Sequence, residues 1–271
     1  MYAVIVRMIL KCFEAYRAAL FAKSLLVPAF FYNRMAIVTL LWLMLTVPLA
    51  LLKLAFPATS IHNLGDALPI LVAYSIIIAA PICGYLIAHE AFGKQASSTQ
   101  LDFHLSFLGK WKRIDEQSAR KNILFGPVGF IASLLIGMLL NVVIRAGEFF
   151  LAVPAMSAHA PEWGMTLFIT MTADVAITGF FYMVAFVMAL RTVPLFPRML
   201  LFAWCVDVFM QLIIAQQLSL VGNIPAGVVT PLVDLLQGNM TKVMISIVVW
   251  MPYLLLSHRV NITYRHRLPQ N

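Results

Sequence analysis

FIASLLIGMLLNVVIRAGEFFLAVP, residues 130–154, reads as a membrane span interrupted by charge. Apolar runs lie on both sides of Arg145 and Glu148, and Pro154 is the next strong stop signal. A helix ending at Arg145 would make that residue an ordinary interfacial anchor. A helix running to Val153 instead buries it about 12 Å from the outer end, at about 1.5 Å per residue. Unpaired charge at such a depth costs about 3 kcal/mol or more, so a polar partner is expected. Asp174, in the following apolar segment, lies about 16 Å from the same side, within reach of a long arginine side chain. Glu148, at i+3 from Arg145, shares its helical face and is expected to add a second contact.

Composition makes bilayer the natural solvent. Of 271 residues, 62% are hydrophobic and 11% charged, with a mean hydropathy of +0.91. Soluble domains are about half apolar and about one quarter charged, and a soluble fold of this size could not cover so much apolar surface. The net charge of +8 is then read as basic loops facing anionic headgroups rather than as a nucleic-acid site. Cys12, Cys83 and Cys205 form no CxxC pair, so neither a disulfide framework nor a zinc site is expected, and all three read as small buried apolar residues. No small-residue cleavage site follows the charged start, so no removable signal peptide is expected.

The chain reads as one all-α, polytopic membrane domain spanning residues 1–271. Spanning takes about 20 apolar residues, and six segments qualify: 36–56, 68–92, 124–153, 163–190, 199–221 and 242–257. Lys and Arg cluster before the first, between the second and third, between the fourth and fifth, and after the sixth. The alternate loops are assigned Asp66, Glu162 and Asp234. The positive-inside rule then places both termini in the cytoplasm. Two cytoplasmic segments read as interfacial. Residues 1–30 suit a helix in the headgroup plane, with Arg7, Lys11 and Glu14 on one face. Residues 93–123 form an amphipathic loop, where Leu108, Trp111 and Ile114 favour a helix over a strand, because a lone strand edge would have no partner.

Other polar positions carry weaker signals. Asp207 and Gln211 stand at i, i+4 and so share a face, read as a second polar surface lining a cavity or bonding to a neighbouring helix. His89 and His258 fall near span ends and read as interfacial; His62, His104, His159 and His266 make no metal spacing. No metal site and no cofactor are expected. Gly126, Gly129, Ser133 and Gly137 suggest a close-packing face along the third span. Pro48 and Pro81 are expected to kink their helices.

The C-terminal third to half carries a resemblance. Phe196, Pro197 and Arg198 form a turn motif; Trp250, Pro252 and Tyr253, then Ser257, His258, Arg259, Val260 and Tyr264, form a second. These resemble a bacterial inner-membrane family known as domain of unknown function 2569, with Leu195 and His258 at positions where that family is usually basic. The resemblance implies a bacterial multi-span protein and transfers no catalytic residue. Independently of it, Trp250, Tyr253 and Arg259 suit interfacial anchors. The expected function is a non-catalytic accessory or scaffold subunit of a larger inner-membrane complex, with lipid and other membrane subunits as partners. The alternative is a small proton- or ion-coupled transporter using Arg145, Glu148, Asp174 and Asp207. A third, a lipid-modifying enzyme near His89, Glu90 and His104, has no supporting spacing.

Overall fold

The computed structural model describes residues 2–93, 111–221 and 224–269, and in the first helix the side chains of Ala19 and from Phe21 onward. Among these residues the regular structure is helical apart from one short ribbon. The helices are α1 (Tyr2–Ala55), α2 (Leu64–Ala91), α3 (Glu116–Lys121), α4 (Phe130–Ala152), α5 (Glu162–Leu190), α6 (Phe196–Leu220), α7 (Ala226–Leu256) and α8 (His258–Arg265). Six of them, α1 from Phe21 together with α2, α4, α5, α6 and α7, are long and apolar enough to cross a membrane. This is a multi-pass membrane protein.

Helix α5 is the hub. It packs against α2, α4 and α6, and 72% of its most apolar window is buried, against 17% for α1 and for α7. The α2–α5 contact is close because Gly84 sits against the Phe180 carbonyl, where an added Cβ would lie only 2.6 Å from the oxygen. The Pro81 ring fills the space over Gly179 in the same contact. Pro81 and Pro48 both remain inside their helices. The departure from helical angles in α1 is instead at Arg34 (φ −126°, ψ 19°).

Several expectations are corrected. In α1 a kink at Arg34 separates the stretch expected as an interfacial helix (1–30) from the span expected at 36–56, although the apolar stretch long enough to span reaches back to Phe21. The side chains of Arg7, Lys11, Cys12 and Glu14 lie outside the described residues. The sixth span is not confined to 242–257; α7 begins at Ala226, and Asn239, ahead of the expected segment, bonds Gln211 inside the protein. Asp66 belongs to the first turn of α2, where it completes a capping box with Asn63, and Asp234 lies within α7. Gly126 and Gly129 precede α4 with positive φ (110° and 66°), a turn geometry that glycine tolerates. No Cβ at Gly137 would meet a neighbour, so these residues make no continuous packing face. Cys83 and Cys205 are exposed on helix surfaces rather than buried.

At one end of the bundle lie the basic loops, called here the basic end; the loops carrying the Asp66 cap and Glu162 mark the acidic end. Within 93–123, residues 94–110 lie outside the described residues. The helix expected through Trp111 is instead strand β1 (Trp111–Arg113), antiparallel to β2 (Arg267–Pro269), with Lys112 opposite Leu268. The C-terminal tail supplies the partner that local sequence lacked. Helix α8, capped by Ser257, buries Tyr264, whose hydroxyl donates to the Ala189 carbonyl at 2.8 Å. Thr263 accepts from the Gly126 amide at 3.1 Å. Burial pushes the Arg265 guanidinium down to about 10, with Arg267 and Arg198 adding repulsion.

Replacing Gly84 by Ala is expected to lower stability in detergent by about 1–3 kcal/mol through overpacking against the Phe180 carbonyl. Gly137→Ala, with open space around it, should be neutral or gain up to about 1 kcal/mol from helix propensity. Thermal unfolding of the purified variants checks both.

Candidate functional site

Four helices deliver polar side chains to one buried point. Helix α4 contributes Arg145, α5 contributes Asp174 and Tyr182, α6 contributes Asp207 and Gln211, and α7 contributes Asn239. All six are buried, Asp207 completely. Tyr182 lies eight residues beyond Asp174 and so shares its face, while Gln211 follows Asp207 by four. Because α5 and α6 run antiparallel, the faces meet in register: Tyr182 faces Asp207, and Asp174 faces Gln211.

The guanidinium of Arg145 is divided between two carboxylates. Its Nη2 donates to Asp174, at 3.2 Å to Oδ1 and 3.1 Å to Oδ2. Its Nη1 donates to Oδ1 of Asp207. The Tyr182 hydroxyl donates to Oδ2 of Asp207 at 2.9 Å. Gln211 Nε2 donates to Asp174 Oδ1 at 3.0 Å, and Asn239 Nδ2 to Gln211 Oε1 at 3.4 Å. Every carboxylate oxygen therefore accepts at least one hydrogen bond. The Nε of Arg145 is buried without a hydrogen-bond partner among the described residues.

The site lies near the middle of the helices long and apolar enough to span a membrane. Asp174 is twelve residues from the acidic-end start of α5 and sixteen from its other end, or about 18 Å and about 24 Å along the axis. Within four residues of the site's members along the same helices lie the buried apolar side chains of Val142, Ala146, Phe149, Val175 and Ile214. Water is excluded on these sides, so electrostatic interactions are strong there and unpaired charge is costly. Two carboxylates against one guanidinium leave the centre one formal negative charge in excess.

The pairing of Arg145 with Asp174 matches the sequence expectation, but two other assignments change. Asp207 and Gln211 do not form a separate second face; they complete the Arg145 centre. Glu148 does not join it. Its carboxylate pairs with Lys242 of α7 on the outside of the bundle. Sequence reasoning missed Tyr182 and Asn239. The i+8 offset of Tyr182 from Asp174 was a usable signal, whereas Asn239 fell in a stretch excluded from the sixth span.

The other named residues have structural settings. Phe130 packs against Trp250 and Tyr253, with ring centroids at 4.6 and 4.9 Å. Arg259 donates to the Leu124 carbonyl at 3.1 Å and lies over the Phe21 ring. These three side chains thus fasten the basic end of α7 and α8 to the start of α4. His89 and His258 are exposed at the same end. At the acidic end, His159 Nε2 lies 3.2 Å from Asp66 Oδ1, and Ser157 bonds Thr59, joining two loops. Tyr74 places a buried hydroxyl without a hydrogen-bond partner among the described residues, in contact with Phe149, Phe150 and Phe168. No group of three His, Cys, Asp or Glu side chains suited to a metal ion occurs among the described residues.

No protein-family model matches the chain, and no curated protein or solved structure matches it at a significant level.

Arg145→Met leaves two carboxylates buried without their cation and is expected to cost about 3–5 kcal/mol. Asp207→Asn removes the excess charge while keeping the Arg145–Asp174 pair, and should cost less than about 2 kcal/mol. Denaturation of both variants in the same detergent tests the order; equal losses would show that charge balance does not govern the centre.

Proposed function

We propose that this chain is a small proton- or cation-coupled transporter of the bacterial inner membrane, working from the Arg145–Asp174–Asp207 centre. One observation carries the reading: two carboxylates share a single guanidinium, buried near mid-membrane on three different helices. Charge of this kind is expensive in a bilayer and is found mostly where ions or protons are handled. The missing positive charge is supplied by a proton or a small cation. Binding or loss of that charge alters the balance of contacts among α4, α5 and α6, which is what coupling requires. Gln211 fits this role because its amide can turn to accept from a protonated Asp174 or donate to an ionised one.

The basic loops and both chain ends are placed in the cytoplasm on the positive-inside rule. The C-terminal motif around Trp250, Tyr253 and Arg259 is the ground for proposing kinship with the bacterial family of domain of unknown function 2569. The second reading, a non-catalytic accessory or scaffold subunit with other membrane subunits as partners, draws support from the thin packing of α1 and α7, each only 17% buried over its apolar window.

The test is flux. Purified protein in vesicles containing a pH-reporting dye is challenged with opposed proton, sodium and potassium gradients. Coupled flux above that of empty vesicles is expected, and Asp174→Asn should abolish it while the variant remains folded. Flux equal to that of empty vesicles under every gradient would sink the transporter reading. A stoichiometric partner subunit co-purified from native membranes would then establish the accessory one.

A further inference from the structure

Glu148 and Lys242 form an ion pair on the outside of the bundle, bridging α4 and α7, with side chains 31% and 48% exposed. Its depth follows from the buried centre. Glu148 is three residues from Arg145 on α4, and Lys242 three residues from Asn239 on α7. Each is therefore within about 5 Å, along its helix axis, of a network that lies near mid-membrane. An isolated lysine near a helix end extends to the interface. Lys242 is fourteen residues from the nearer end of α7, about 21 Å away, and its ammonium is held by Glu148. The outer side of this pair would face hydrocarbon, which offers nothing in place of lost hydration.

We propose that the α4–α7 face is an interface between two copies of this chain, related by a two-fold axis along the membrane normal. That symmetry keeps every group at its own depth and reverses the left-to-right order of the two helices. Glu148 of one protomer then meets Lys242 of its partner, and Lys242 of the first meets Glu148 of the second. The result is a neutral square of alternating charges, self-complementary as a two-fold contact must be. An apolar neighbour would cover the pair without satisfying it, and a neighbour of one charge sign would repel half of it. The surface also permits close approach. Gly147 adjoins Glu148, and Gly238 lies one turn from Lys242; an added Cβ at either would meet nothing within 4 Å. Small residues beside a polar contact are the usual means by which membrane helices come together. The interface is independent of the transport reading, since neither Glu148 nor Lys242 belongs to the buried centre.

The experiment pairs opposite charge reversals. K242E puts two acids on the face and E148K puts two bases there. The wild-type protein, differently tagged in two copies and co-expressed, is expected to co-purify as a dimer in mild detergent and lipid nanodiscs. Each single reversal should be monomeric. Co-expressed with each other, the two should form mixed dimers exceeding like-with-like pairing by about tenfold or more. The double reversal E148K/K242E should restore the dimer. A neutral double variant, E148Q/K242Q, guards against misfolding: it should retain wild-type helicity while dimerising more weakly. A monomeric wild type, mixed pairing no better than random, or a different subunit bound to this face in place of a second copy would each overturn the proposal.

Discussion

A guanidinium in the middle of a bilayer has no solvent to fall back on, and much of this structure follows from how Arg145 is accommodated. Its two terminal nitrogens divide between Asp174 and Asp207, which sets the register of α4 against both α5 and α6. Sliding either helix by a residue would strand a charge in an apolar surround, at a cost of several kcal/mol. Helix α5 must then be central, because Asp174 and Tyr182 occupy one of its faces and the α2 contact at Gly84 occupies another. Gln211 and Asn239 extend the same network to α7, a helix that is otherwise lightly packed. The polar centre is thus a register lock as well as a site.

Those two roles are compatible. A fully balanced pair would serve a lock well. A second carboxylate on one cation goes further, leaving a charge to be met by something that can come and go. In the proposed function that species is the coupling ion, and the helices it holds in register are the parts that respond. The Nε of Arg145, buried without a hydrogen-bond partner among the described residues, is a donor that the two carboxylates do not use.

The ends of the bundle are built by a different rule. There the unpaired backbone groups of helix termini must find partners, and neighbouring segments supply them. Asn63 caps α2, Ser257 caps α8, and the Ala189 carbonyl accepts from Tyr264. The β1–β2 ribbon joins a loop to a tail more than 150 positions away. Such long-range closure explains why Trp111 looked helical in sequence: a local pattern carries no information about a partner strand so distant.

The sequence by itself determined the helical, multi-pass architecture, because length and apolar content are what a bilayer selects. It also determined that Arg145 needs a partner near its own depth, since the cost of burying a charge does not depend on the fold. Only the tertiary structure decided which polar residues meet. Asp207 was assigned to a second polar face and instead completes the Arg145 centre; Glu148 looked like a member of the centre and pairs with Lys242 instead. Asn239 lay outside the expected sixth span, and only the fold brings it beside Gln211. Cys83 and Cys205 proved exposed for a related reason. In water, hydrophobicity separates inside from outside. In a bilayer the solvent is as apolar as the core, so hydropathy marks the spans but cannot say which way a side chain faces, and packing alone decides it.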